Sequence, residues 1–96
     1  MLNLSETMER VLKVMITHGE KFIRYEGGFW SWEGVEIEKR GLPWNQYEIP
    51  AWHCDVRTLR ALQARNVVEL DEKKKVCVLR EDAKEKKEIR NMIDRG

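Results

Sequence analysis

An α+β domain of about three helices and two β-hairpins is the fold class that the 96-residue sequence predicts, and three features predict it. Apolar residues recur at helical spacing near both ends of the chain and again over 56–65. Two aromatic-rich runs flank Gly27-Gly28, and two β-branched runs flank a charged turn at 71–75. Hydrophobic residues make up 42% of the chain, enough for one compact core, so a single domain over 1–96 is expected.

The first helix is predicted over 5–18, where Leu4, Met8, Val11, Leu12, Met15 and Ile16 form an apolar stripe. Asn3 with Glu6 fits a capping box, Ser5 competes as N-cap, and Gly19 stands where a glycine closes a helix. Lys21-Phe22-Ile23-Arg24-Tyr25 and Phe29-Trp30-Ser31-Trp32 then read as a hairpin, with Gly27 and Gly28 supplying positive φ in its turn. Between Glu33 and Cys54, Gly34, Gly41, Pro43 and Pro50 break any long element, so a structured loop is expected, with a short strand at Val35-Glu36-Ile37-Glu38. Trp44, Tyr47, Ile49 and Trp52 on that loop are expected to cover the core, because leaving such side chains in water forgoes about 1.5 to 3 kcal/mol each.

A second helix is predicted over 56–65, with Asp55 as N-cap and Asn66 at its end. Val67-Val68-Glu69-Leu70 and Val76-Cys77-Val78-Leu79 form the next hairpin, tipped by Lys73-Lys74-Lys75. Asp82 with Glu85 suggests a capping box for a last, mostly solvated helix over 83–94.

Composition narrows the function classes. The net charge of +1 gives no global field toward nucleic acid or anionic lipid, so binding to either needs a local patch. No run reaches the roughly 18 apolar residues that span a bilayer, and the N-terminus carries acids rather than a signal sequence, so no membrane partner and a cytoplasmic location are expected. Cys54 and Cys77 are accordingly expected to be reduced and buried. His53 and Cys54 are adjacent, a poor chelating spacing, and neither a C-x-x-C pair nor a nucleophile or phosphate-loop motif occurs. No catalysis, metal or cofactor is therefore expected.

Helix 56–65 carries the best candidate for function. At 100° per residue, Leu59, Leu62 and Asn66 fall on one side, while Arg57, Arg60, Ala61 and Ala64 fall on the other. Alanines let a backbone approach DNA closely, and arginines reach phosphates or the guanine O6 and N7 edge. Arg and Ala also serve an ordinary solvated helix face, so the alternative is solubility alone. Residues 55–80 carry 7 basic against 4 acidic groups, while 1–54 carry 6 against 8 and 81–96 carry 5 against 5. That local excess of +3 is small, which predicts weak binding by a monomer and a homodimer held through the first or last helix. Met8 and Met15 are expected in the core, and the four tryptophans are expected to be structural rather than base-stacking.

The order of helix, strand, charged turn and strand, with the run Asp55-Val56-Arg57-Thr58-Leu59-Arg60-Ala61-Leu62-Gln63-Ala64-Arg65-Asn66-Val67-Val68, resembles a small, divergent winged helix-turn-helix domain of the phage and prokaryotic regulator type. In that pattern a Thr opens the recognition helix, an Ala-Leu pair follows, and a Gly or Asn precedes the first wing strand. The resemblance implies a winged-helix-like α+β fold with recognition helix 56–65 and wing 67–79. It also implies a transcription regulator binding double-stranded DNA through Arg57, Thr58, Arg60, Ala61, Ala64, Arg65, Lys73, Lys74 and Lys75. Upstream the sequence departs from the family, because Pro43, Pro50 and the glycines before them stand where the first helix of the helix-turn-helix pair belongs. The alternative function is a protein-interaction domain on the same scaffold, using its first helix or its Trp-rich loop to hold a partner.

Overall fold

The computed structural model describes residues 2–95, an α+β arrangement of three α-helices and six strands in two antiparallel sheets. Helix α1 (Glu6–Thr17) starts at Ser5, whose side chain accepts a hydrogen bond from the Met8 N–H, and its buried stripe is Val11, Leu12 and Met15. Strands β1 (Lys21–Tyr25) and β2 (Phe29–Ser31) form the aromatic hairpin, and Gly27 and Gly28 turn it at φ of 86° and 83°.

Helix α2 (Val56–Ala64) follows Asp55, which caps it by accepting from the Thr58 N–H. Strands β5 (Val68–Asp71) and β6 (Val76–Leu79) complete a four-stranded sheet in the order β2-β1-β6-β5. Register aligns Phe22 with Cys77 and Cys77 with Leu70, so these side chains share the face that meets the helices. The core there joins Leu12, Met15, Phe22, Trp30, Leu59, Leu62, Val68 and Cys77. Both cysteines are free thiols and buried, as the sequence predicts.

Two expectations are corrected. Residues Ile37–Leu42 and Asn45–Pro50 are strands β3 and β4, paired from Ile37↔Pro50 to Leu42↔Asn45 as a separate two-stranded ribbon rather than a loop. Pro43 and Trp44 form the two-residue turn, and Gly41 precedes it at φ 104°, where a Cβ would collide with the Asn45 carbonyl oxygen. The ribbon projects, giving a molecule of 50 × 28 × 21 Å, and Trp44 and Tyr47 do not cover the core: they are 80% and 56% exposed. Trp52 does pack on it, tilted against Phe22 and stacked on Trp32, and Ile49 is half-buried. The ribbon cannot cover the core because both its faces are studded with charge, including Glu38, Lys39, Arg40 and Glu48.

The second correction concerns the last helix. A 3-10 turn at Asp82–Glu85 is separated from α3 (Lys87–Arg95) by Lys86 in an extended conformation. Asp82 is no cap here. Its carboxylate accepts two hydrogen bonds from Arg80, at 3.0 and 3.1 Å, while Lys84 is tied to Glu20 and Glu81 at 2.6 and 3.0 Å. Ala83 is fully buried between these anchors, which fixes the tight turn before α3 sets Ile89 into the core.

Candidate nucleic-acid interface

The position of α2 follows from the residue before its cap. Cys54 extends the edge of β2, exchanging hydrogen bonds with Trp30 at 2.9 and 3.1 Å, so Asp55 and the first turn of α2 are delivered beside the aromatic hairpin. At the other end Asn66 takes φ 59°, and the Val67 N–H returns to the Leu62 carbonyl. Gln63 then accepts from the Leu70 N–H at 2.7 Å, satisfying a donor of strand β5 and fastening helix to hairpin.

On that frame Leu59 and Leu62 are fully buried, and Arg57, Arg60 and Ala64 are exposed with Ala61 half-exposed, the division the helical angles predict. The lysine turn is well defined: Asp71 accepts from the Lys74 N–H at 3.0 Å, and Lys75 adopts φ 59°. Its backbone is joined to β1, because the Lys75 carbonyl accepts from the Arg24 N–H at 3.1 Å.

Arg60 links the two basic elements. Its guanidinium donates to both carboxylate oxygens of Glu72, at 3.2 and 2.7 Å, bridging α2 to the root of the turn. Those bonds hold the Glu72 carboxyl below the usual carboxylate range, with the charges of Arg60 and Arg24 adding to the effect. Two other residues of the sequence-derived set are engaged elsewhere. The Thr58 hydroxyl donates to Asp55, and Arg65 donates to the carbonyls of Asn3 and Ala61 at 2.9 and 3.0 Å, anchoring the N-terminal segment to α2.

Sequence reasoning missed Arg24. It lies one pleat beyond Phe22 and opposite Trp30, hence on the α2 face of the sheet, where it borders a cleft of about 260 Å³ with Gly28, Trp30, Val56, Arg60 and Glu72. The signal was the period of two from Phe22, which places Arg24 on the face that α2 packs against. Among the described residues no cluster of three His, Cys, Asp or Glu side chains is arranged to hold a metal ion, and no helix is long and apolar enough to cross a membrane. Comparison with family models, with curated proteins and with solved structures gave no match for this chain.

Proposed function

We propose that this chain is a duplex-DNA-binding module that works as a small transcriptional regulator, with α2 in the major groove and the 72–75 turn against neighbouring phosphates. The observation that carries the reading is the juxtaposition of the exposed Arg57, Arg60 and Ala64 face of α2 with the lysine turn, joined through Arg60 and Glu72. The resemblance of 55–68 to a winged-helix recognition segment supports it. No helix lies between Thr17 and Val56, so α2 packs on α1 and β5, with Cys54 tying its start to β2, rather than on an immediately preceding helix. The small local charge excess favours action as a homodimer, which doubles the phosphate contacts.

The test is fluorescence anisotropy of random duplex DNA across salt concentrations, comparing the parent with a Lys73→Ala, Lys74→Ala, Lys75→Ala variant. Removing three phosphate contacts is expected to weaken binding to every sequence and to lower the slope of log K against log salt by up to about 2.7 units. An unchanged slope removes the turn from the interface.

A second reading, a protein-interaction domain, rests on one observation. The β3-β4 ribbon presents Leu42, Trp44 and Tyr47 at 55%, 80% and 56% exposure, a cluster of large apolar groups that the chain itself leaves uncovered. Absence of salt-dependent DNA binding by the parent would favour this reading over the first.

A further inference from the structure

We propose that Arg24 and Arg60 form a site for one phosphate group, and that Glu72 occupies it in the free protein as a carboxylate stand-in. The inference rests on the DNA-binding reading and names a subsite within it.

Glu72 lies on the border of the cleft that holds both arginines. The guanidinium of Arg60 meets its two oxygens in a paired fork, the geometry that guanidinium offers equally to carboxylate and to phosphate. Arg24 reaches the same cleft from the sheet. Its guanidinium passes beside Gly28, 3.9 Å from where a Cβ would stand, and its charge acts on Glu72. The two cations come from separate elements and line one cleft, Arg60 bonded to the carboxylate and Arg24 acting on it through charge alone. Hydrophobic walls from Trp30 and Val56 back the cleft, and the backbone bond from Arg24 to Lys75 places the lysine turn at its rim.

The carboxylate is held only by exposed contacts: the Arg60 and Glu72 side chains are 57% and 49% accessible. Such pairs are weak, because water competes for both partners, so a DNA phosphate, backed by the charge of its neighbours along the strand and by counterion release, can displace Glu72. Glu72 thereby acts as a brake. DNA binding must first open the pair, and the basic surface is partly neutralised until it does.

The experiment measures duplex DNA binding at several salt concentrations for the parent, Glu72→Gln, Glu69→Gln, and the double variant Glu72→Gln with Arg24→Ala. Glu69→Gln removes the same charge from an exposed position on β5 and controls for net charge. Glu72→Gln is expected to tighten binding about two- to fivefold, the equivalent of an exposed ion pair. It should also steepen the salt slope by up to about 0.9 unit, as one more cation meets phosphate. The double variant should lose that gain. A gain no larger than that of Glu69→Gln overturns the proposal.

A second measurement separates the subsite from the wider reading. Inorganic phosphate is titrated into the Glu72→Gln protein while NMR follows the Arg24 and Arg60 Nε–H signals. Saturable shifts in both, weaker in the parent, are expected. If they appear but no variant binds DNA, the phosphate site stands and the DNA reading falls. Phosphate shifting neither arginine overturns the site, whatever the parent does with DNA.

Discussion

Leu62→Ala lowers the stability of the domain by about 2 to 5 kcal/mol in urea unfolding, whereas Arg57→Ala stays within about 0.5 kcal/mol of the parent. Both positions lie on α2, one and a half turns apart, so helix propensity and length do not separate them. Burial does. Leu62 has no accessible surface and packs in the core with Leu59, Val67 and Val68, so truncation removes its methyl groups from a close-packed interior and leaves a cavity. The site is hard to collapse, because the backbone around it is pinned: the Leu62 carbonyl accepts from Val67 and Arg65, and the neighbouring Gln63 holds β5. Arg57 is exposed, and its loss opens nothing. Equal destabilisation by the two substitutions would mean that α2 is packed on the wrong face, and the proposed interface would fall with it.

Alkaline pH should destabilise the protein strongly through its two thiols. Burial pushes Cys54 and Cys77 up to about 12 from the ordinary 9.0, with the charge of Asp55 adding to the effect at Cys54 and Cys54 itself adding at Cys77. The folded state therefore favours the neutral thiol, while the unfolded chain ionises at the ordinary value. Their contribution is fully present below pH 9 and is lost progressively as the pH rises from 9 toward 12. At pH 10 the loss is about 1.4 kcal/mol for each thiol, or about 3 kcal/mol for the pair. Lysines and tyrosines titrate in the same range, so the measurement compares urea midpoints of the parent with those of a Cys54→Ala, Cys77→Ala variant between pH 7 and 10. The parent should lose stability more steeply. Parallel curves would show that the thiols ionise freely in the folded state, contrary to their burial.

The elements that could be read from the sequence are those whose signals are local. Ser5 and Asp55 cap α1 and α2 through side chains three residues from the N–H they accept, and the apolar stripes of both helices need only the 3.6-residue period. Gly27-Gly28 likewise announces its own turn. The β3-β4 ribbon gives only a partial signal: the alternating Val35-Glu36-Ile37-Glu38 overlaps the start of β3, but Lys39-Arg40-Gly41 breaks the alternation and the turn is Pro43-Trp44 rather than an Asn-Gly type. The identity of Trp44 alone predicts burial, yet whether it is buried depends on a partner surface that the described residues do not provide. Arg57 and Arg60 were legible from the helical wheel. The clasp of Arg60 by Glu72 spans twelve residues and the approach of Arg24 depends on the pairing of β1 with β6, so neither could be found before the sheet was known.

The exposed turn at Pro43-Trp44 also gives the molecule an optical reporter of its own. Trp30 is 1% exposed, Trp32 and Trp52 are half-buried against each other, and Trp44 stands in water. Their emission is therefore composite: a blue component from the packed indoles, and a red component from Trp44 that dissolved iodide can reach and quench. A partner that settles on the ribbon shields and blue-shifts the red component. In the proposed DNA-binding mode α2 and the lysine turn are covered and Trp44 stays open to quencher, so the colour of the unlabelled protein distinguishes the two proposed readings.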